Sequence, residues 1–344
     1  MNEPNPMSNP GSYPLPDRFD AVLAEQDAEG YRCRFAPVAL SDLPDRDVLV
    51  EVRYSSLNYK DALAVTGRGK IIRQSPMVLG IDLAGRVVSS GSSRFRPGDA
   101  VVVTGQGLSE TEWGGYSPWQ RVRAESLIPL PPAFSLAQAM GIGTAGVTAM
   151  LSVMALERYG LAPTPRPMVV TGAGGGVGSM AVALLARLGY PVAAVTGRAA
   201  LHDYLTQLGA RQVLDRSALA QASPALGNER WAGGIDSVGG KTLAYLLAHT
   251  AAHGAVAACG LAGGADLPVT VFPFILRSVG LLGISSSSTL AAAQTQVWRR
   301  LARDLPASVV DSISRVEPLS RIFELAEEIL AGGVRGRIIL DVRA

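Results

Sequence analysis

Residues Val169–Ser179 read VVTGAGGGVGS, an apolar run that enters a glycine-rich turn and continues as small and aliphatic residues. Glycines at such a turn let the backbone approach a pyrophosphate, whose charge is met by the amides at the start of the next helix. The strict G-x-G-x-x-G spacing is not met, because Gly172 and Gly174 as first glycines place Val177 last. A variant that begins with alanine fits, at Ala173, Gly175 and Gly178. The strand, turn and helix together predict a dinucleotide site at Gly174, Gly175, Gly176 and Val177.

The end of the next predicted strand bears on the choice of dinucleotide. An NAD site places an acidic residue there, which accepts a hydrogen bond from the ribose 2′-hydroxyl. Here Thr196, Gly197 and Arg198 follow the strand, and none is acidic. A hydroxyl and a guanidinium suit a 2′-phosphate, so these three residues predict NADPH rather than NADH. The alternative is that Arg198 is a solvated surface residue.

From about residue 134 to 311, apolar strands alternate with helical patterns, among them a helix at Ser179–Leu188 and a strand at Gly234–Val238. This alternation predicts an α/β domain, a doubly wound parallel sheet with helices on both faces. One predicted helix, Leu136–Leu156, carries no charge over 21 residues. Its glycines, threonines, glutamine and serine make it weakly apolar for a membrane span, so it is predicted to be buried.

Shorter strands with Gly/Pro turns, such as Ile81–Ser89 and Ala100–Thr104, fill the chain from about residue 18 to 133, which predicts a small β-barrel. A helix at Leu319–Leu330 and a strand at Arg337–Val342 could complete that barrel. The predicted division is therefore a barrel domain of 18–133 with 312–344, and a dinucleotide domain of 134–311. Residues 1–17, rich in proline, are predicted to form a disordered tail.

The composition is that of a folded protein with a large core. Of 344 residues, 48% are hydrophobic and 17% charged, with a net charge of +2. These values argue against a disordered chain and against a nucleic-acid partner. The N-terminal segment lacks the basic start and apolar run of a signal peptide, so the expected location is the cytoplasm, without a membrane.

Residues that ligate metals are scarce. The cysteines are Cys33 and Cys259, and the histidines His202, His249 and His253 all lie outside the predicted barrel domain. A four-cysteine zinc site is excluded, and a catalytic zinc has too few ligands. The sequence predicts no metal.

Several motifs, in this order, resemble the medium-chain dehydrogenase/reductase superfamily: Phe95–Asp99, Gly141–Gly146, the glycine turn and Leu208–Ala210. More specific segments closely resemble its zinc-independent, quinone-oxidoreductase-like branch, and within it the NADPH-dependent acrylyl-CoA reductases: Ser55–Leu63, Gly67–Ile71, Gly80–Asp82, Trp113–Gly115, Ala257–Gly264 and Phe272–Arg277. The zinc alcohol dehydrogenases fit poorly, since they have Gly-His-Glu at 80–82. The resemblance implies a GroES-like β-barrel catalytic domain plus a Rossmann domain.

The resemblance also implies a reaction. Hydride from NADPH adds to the β-carbon of an activated alkene, with acryloyl-CoA giving propionyl-CoA as the expected case, and no metal takes part. Hydrogen bonds must stabilise the enolate, and a proton reaches the α-carbon from a side chain or from water. Tyr59 is expected against the nicotinamide, and Asn58, Asp61 and Asp82 are expected to line the site.

Structural alternatives remain for three of these residues. Asn58 would cap or turn the chain, Asp61 would cap a helix that begins at Ala62, and Asp82 would be a buried, hydrogen-bonded carboxylate. Basic residues at Arg68, Lys70 and Arg73 would meet coenzyme A phosphates or form a solvated loop.

Further NADPH contacts are implied by the resemblance alone, at Leu261, Ile275, Ser285 and Arg335. It also implies a homodimer that forms through the edge strand Val279–Ile284, because an exposed apolar edge needs a cover.

Three other functions are weighed against this one. A short-chain dehydrogenase needs a Tyr-x-x-x-Lys pair, but Ser56, Thr66 and Ser237 stand four residues before the three lysines. NADPH:quinone oxidoreduction by the same fold remains open. So does a non-catalytic NADPH-binding protein, structural or associated with RNA, although the near-neutral charge and the intact 58–61 segment weigh against it.

Overall fold

The protein is described from a computed structural model, which covers residues 15–221, 224–287 and 291–344. Residues 1–14 of the predicted tail lie outside the described residues. The chain begins with strands of a barrel-like unit: β1 (Arg18–Asp27), β2 (Gly30–Ala39), β3 (Val48–Leu57), α1 (Tyr59–Val65), β4 (Met77–Val78), β5 (Asp82–Ser90), β6 (Ala100–Thr104), β7 (Trp119–Val122) and β8 (Ile128–Pro129).

Helices and strands then alternate, as the sequence predicts: α2 (Leu136–Tyr159), β9 (Met168–Val170), α3 (Gly176–Arg187), β10 (Val192–Thr196), α4 (His202–Gln207), β11 (Gln212–Asp215), β12 (Trp231–Asp236), α5 (Gly240–Ala248), β13 (Thr250–Ala258), α6 (Phe272–Arg277), β14 (Gly280–Gly283), α7 (Ala291–Asp304) and α8 (Ala307–Ile313). The last elements are β15 (Ser314–Pro318), α9 (Ile322–Leu330) and β16 (Arg337–Asp341).

The two units share one chain but not one sheet. Strands β9 to β14 form a parallel sheet in the order β11-β10-β9-β12-β13-β14. The chain's last strands return to the other unit, where the order is β15-β16-β3-β5-β6-β8 and β7 also pairs with β3. This pairing supports the proposed domain division near residues 133 and 311. The fold class is α/β, with a GroES-like unit and a Rossmann-type unit, as expected.

Helix α2 packs between the two units. It contacts α3 and α7 on one side and β3, β5 and β6 on the other. Within the described residues it is the one helix long and apolar enough to cross a membrane, and 78% of its most apolar window is buried inside the protein. Its small residues therefore serve close packing, as predicted.

A break in α2 shapes the surroundings of the site. Gly143 has φ +49° and ψ −162°, which interrupts the helical backbone. A Cβ at Gly143 would lie 2.5 Å from Arg337 Nη2 and 2.7 Å from Asp82 Oδ2. Only glycine satisfies both the positive φ and the close approach. The break leaves backbone amides and carbonyls of α2 available to side chains of the barrel unit.

Candidate active site

The glycine turn lies at the carboxyl end of β9, and its last glycines open α3. Helix α3 begins at Gly176 rather than at Ser179, where sequence reasoning placed it. A Cβ at Gly178 would collide with the backbone of Gly172 and Ala173, so this glycine lets α3 pack closely on the strand. The first amides of α3 have no intrahelical partners, and the sequence predicts that they bind an anion beside Gly175, Gly176 and Val177.

The residues after β10 lie next to this turn. Thr196 is buried, and its Oγ1 accepts a hydrogen bond from the Arg198 amide at 3.2 Å. The Arg198 guanidinium donates to the carbonyls of Gly333 and Val334, both at 2.9 Å, and of Gly174 at 3.3 Å. Burial lowers the pKa of Arg198. Arg198 thus ties the glycine turn to the segment before β16.

A second arginine, which sequence reasoning missed, covers the end of β10. A Cβ at Gly197 would lie 2.6 Å from both Cδ and Nε of Arg216, so the Arg216 side chain lies directly over this glycine. Arg216 is exposed and follows β11, the strand next to β10. Sequence reasoning could have found Arg216 because it directly follows β11. The carboxyl ends of neighbouring parallel strands such as β10 and β11 lie at the same edge of the sheet. Two guanidiniums therefore flank the place where a 2′-phosphate would bind.

The other predicted NADPH contacts follow the same edge of the sheet. Leu261 comes after β13 and Ser285 after β14, while Ile275 lies on α6. Leu261 and Ile275 are 65% and 67% exposed, which is unusual for such apolar side chains. Arg335 is exposed and lies 4.8 Å from the centre of the Tyr204 ring. The strand order reverses between β9 and β12, which is the usual ligand-binding place in open α/β sheets.

A buried polar cluster joins the barrel unit to α2. We call it the joint cluster: Ser56, Asn58, Asp61, Asp82, Thr144 and Arg337. Its centre is the fully buried Asp82 carboxylate, which accepts from Ser56 Oγ at 2.6 Å and from Asn58 Nδ2 at 2.9 Å. Thr144, just past the break in α2, donates to it through its amide at 2.9 Å and its hydroxyl at 2.6 Å. These bonds compensate the burial of the charge.

Asp61 is buried in the same cluster. It is the third helical residue of α1, and its Oδ2 accepts from the Asn58 amide at 3.0 Å, as in a capping box. Its Oδ1 accepts from the Ile81 amide at 2.9 Å. Burial, and then the nearby Asp82, raise the pKa of Asp61 to about 7. Asp61 thus fixes the start of α1, which begins at Tyr59 and not at Ala62.

Arg337, also missed by sequence reasoning, completes the joint cluster. It is 3% exposed and donates to Asn58 Oδ1 at 2.9 Å and to the Gly141 carbonyl at 3.0 Å. The sequence feature that could have revealed it is a single arginine at the start of the otherwise apolar run RIIL in β16. Gly176 packs against it, since a Cβ there would lie 2.8 Å from Arg337 Cδ. The joint cluster therefore touches the glycine turn.

Tyr59 differs from its neighbours in being 45% exposed. It is the first residue of α1, and the preceding Asn58 is held by Arg337, which packs on the glycine turn. Of the four predicted catalytic residues, the structure therefore brings Asn58, Asp61 and Asp82 together in a buried network and leaves Tyr59 accessible. Such an arrangement suits a tyrosine that contacts a bound ligand and three residues that hold it in place.

The basic loop after α1 is partly engaged in ion pairs. Arg68 Nη2 lies 2.8 Å from Glu327, and Arg73 Nε lies 3.8 Å from Glu110, which also pairs with Lys60. Among the described residues, no group of three or more His, Cys, Asp or Glu side chains is placed to hold a metal ion.

Comparisons with known proteins cover nearly the whole chain. Residues 44–132 match the alcohol dehydrogenase GroES-like domain, and residues 176–304 match the zinc-binding dehydrogenase family. The acrylyl-CoA reductase AcuI of Ruegeria pomeroyi is 48% identical over 95% of this chain and 100% of its own length.

Solved structures agree with these matches. The yhdH oxidoreductase of Salmonella enterica in complex with NADP is 48% identical, with a TM-score of 0.91 over 94% of this chain and 99% of that one. Bacillus subtilis yhfP with NAD bound is 43% identical, with a TM-score of 0.90 over the same shares. The chain therefore belongs to the medium-chain dehydrogenase/reductase superfamily, in the quinone-oxidoreductase-like group that includes acrylyl-CoA reductase AcuI.

Proposed function

We propose that this protein is an NADPH-dependent reductase of activated C=C bonds, with acryloyl-CoA as substrate and propionyl-CoA as product. The observation that carries the proposal is the contact chain from Gly176 of the glycine turn, through Arg337 and Asn58, to the exposed Tyr59. These contacts support a role for Tyr59 as a ligand-facing side chain beside the proposed dinucleotide site. The full-length similarity to AcuI supports the choice of substrate.

NADPH is the proposed cofactor. Gly174–Val177 and the start of α3 would bind its pyrophosphate, while Thr196, Arg198 and Arg216 would surround its 2′-phosphate. One relative is complexed with NADP and another with NAD. The preference for NADPH in this chain therefore rests on the two guanidiniums at the end of β10, and not on the group alone.

When bound, NADPH supplies the hydride that reduces the β-carbon of the alkene. In this proposal Tyr59 packs against the nicotinamide side of the site and helps exclude water. Asn58, Asp61 and Asp82 act as positioning residues, because all three are buried and hydrogen-bonded to one another or to Arg337. No metal is assigned a role, and the three histidines all lie within the parallel-sheet unit, in α4, between α5 and β13, and in β13.

We also propose a cytoplasmic homodimer. Strand β14 is an end strand of the parallel sheet, so one side of it lacks a neighbour in that sheet. Exposed apolar side chains lie on this strand and on the segment just before it, namely Val271, Phe272, Ile275, Leu276 and Leu281. A second copy that pairs along β14 would cover both the strand edge and these side chains.

The test is a comparison of kcat/KM for NADPH oxidation with acryloyl-CoA and with a panel of quinones. The proposal predicts a clear preference for acryloyl-CoA. Efficient reduction of quinones alone would replace it with quinone oxidoreduction by the same fold. NADPH binding without turnover of either class would indicate a non-catalytic NADPH-binding protein.

A further inference from the structure

Arg337 is an unusual residue for its position. It opens β16, whose remaining residues are apolar apart from Asp341, and all five are buried. Burial lowers the pKa of Arg337, which shows that a charge at this position destabilises the folded state. The Asp82 carboxylate is 3.9 Å from Nη2, which is too far for a close ion pair. An apolar side chain would fill this place at lower cost, so packing alone does not explain an arginine.

The bonds of Arg337 show what the guanidinium does. Nη1 donates to Asn58 Oδ1 at 2.9 Å and to the Leu57 carbonyl at 3.1 Å, the two residues that precede α1. Nε donates to the Gly141 carbonyl at 3.0 Å, just before the break in α2. A planar fork of donors fixes the relative position of these two segments, which a single ammonium group cannot do.

The aliphatic part of Arg337 faces the cofactor turn. At Gly176, a Cβ would meet Arg337 Cδ at 2.8 Å and Ala145 Cβ at 3.3 Å. One side chain therefore touches the start of α1, the break in α2 and the start of α3. Arg337 therefore connects Asn58, the residue before Tyr59, to the proposed pyrophosphate site.

We propose that Arg337 is a positioning residue that holds Tyr59 in register with the glycine turn, acting through Asn58. This inference rests on the proposed function, since it assumes that Tyr59 and the turn contact one cofactor. Misplacement of reacting groups by about 1 Å costs about 100-fold in rate. Loss of the fork is therefore expected to lower kcat more than it weakens binding.

The first test is Arg337→Lys, which keeps the charge but loses the planar fork. We expect kcat with acryloyl-CoA to fall about 10- to 100-fold, while KM changes by less than about threefold. Arg343→Lys is the matched control, because Arg343 lies just past β16 and pairs with Glu51 at 2.8 Å, away from the joint cluster. It should retain wild-type kcat. A lower melting temperature for Arg337→Lys with unchanged kcat would contradict the proposal.

A second test needs no turnover. The emission of bound NADPH reports the surroundings of the nicotinamide, and we expect Arg337→Lys to shift it while Arg343→Lys does not. This readout separates the inference from the proposed substrate, because it is unaffected if acryloyl-CoA is the wrong acceptor. Wild-type emission from folded Arg337→Lys would overturn the inference.

The third test asks whether Arg337 acts through Asn58. In the Asn58→Ala background, adding Arg337→Lys should lower kcat by less than about threefold, because the bond is already lost. Independent losses that multiply in the double variant would contradict the proposed route. Asn58→Ala alone also tests the inference if Arg337→Lys does not fold: unchanged kcat and unchanged NADPH emission would refute it.

Discussion

Two arginines at the end of β10 have different surroundings. Arg198 donates to three carbonyls and joins the glycine turn to the segment before β16. Arg216 is exposed over Gly197, with a guanidinium close to the proposed 2′-phosphate. The difference suggests that Arg216 recognises the phosphate and that Arg198 both recognises it and fixes the turn.

We therefore expect Arg216→Ala to raise KM for NADPH about 10- to 100-fold, the effect of losing a charge-assisted hydrogen bond. KM for NADH should stay the same, because NADH has no 2′-phosphate. Arg198→Ala should weaken the binding of both NADPH and NADH, since the glycine turn loses the hydrogen bond that Arg198 donates to Gly174. Steady-state kinetics with both cofactors give the comparison, and an unchanged NADPH preference in Arg216→Ala would remove this assignment.

Asp61 links stability to pH. Its pKa is raised to about 7 from the ordinary value of 3.8, so between these limits the folded state binds a proton that the unfolded state has lost. The proton's contribution is fully present below about pH 4 and is lost as the pH rises to about 7. The Asp61→Asn side chain does not titrate, so this variant should lack the decline in the free energy of unfolding that Asp61 causes between these pH values.

The measurement is the free energy of unfolding of both proteins from pH 4 to pH 8. We expect Asp61→Asn to be less stable at pH 4, because its amide nitrogen replaces one of the two accepting oxygens and cannot accept a hydrogen bond, and the deficit should shrink towards pH 7. A deficit that stays constant over this range would show that Asp61 titrates normally.

Sequence reasoning at this scale found residues whose motif is local and missed those whose role depends on distant contacts. Asn58, Tyr59 and Asp61 stand together in one segment, so the resemblance identified them. Arg337 lies 279 positions from the amide oxygen that it contacts, and only the folded chain shows that bond. The predicted cap at Asp61 is wrong in position, because α1 begins three residues earlier, with Asn58 as its N-cap and Asp61 as its third residue.

At the scale of elements, the break in α2 supports the joint cluster. Gly143→Ala adds backbone strain and a methyl group against Arg337 and Asp82, and it is expected to cost about 1–3 kcal/mol from strain and more from the clash. Gly160→Ala is the matched control. Gly160 ends the same helix at φ +103°, but nothing lies within 4 Å of its Cβ position.

Denaturant unfolding and kcat should separate the two variants. Both should be less stable than wild type, Gly143→Ala by the larger amount, and only Gly143→Ala should also lose kcat. Equal losses in both variants would indicate that backbone strain alone matters and that the joint cluster tolerates displacement.

Strands and helices with clear periodicity were predictable, and their ends were less so. Predicted and observed bounds agree for Ala100–Thr104, and α2 runs only three residues further than predicted. Helix α3 starts earlier than predicted because Gly176, Val177 and Gly178 at the end of the turn already belong to the helix. Strand β12 starts at Trp231, earlier than predicted, because the pattern Ala-Gly-Gly resembles a turn although the sheet needs small residues there.

In the whole molecule, each of the two larger sheets has an end strand with an exposed apolar side chain. Strand β14 ends the parallel sheet and β15 ends the barrel sheet. Leu281→Arg places a charge in the proposed subunit interface and should yield monomers in light scattering after size exclusion. Val316→Arg, at a 54% exposed apolar position of β15, is the matched control and should remain dimeric. Monomeric wild type, or dimeric Leu281→Arg, would contradict the proposed interface.

The proposed function requires hydride transfer from NADPH to the β-carbon of an acryloyl thioester. The most direct measurement uses NADPH deuterated at both positions of nicotinamide C4, with acryloyl-CoA, and determines the label in the product by NMR and mass spectrometry. If the proposed function is correct, we expect propionyl-CoA with one deuterium at C3 and a solvent-derived proton at C2. Absence of propionyl-CoA, or a product without deuterium at C3, would contradict it.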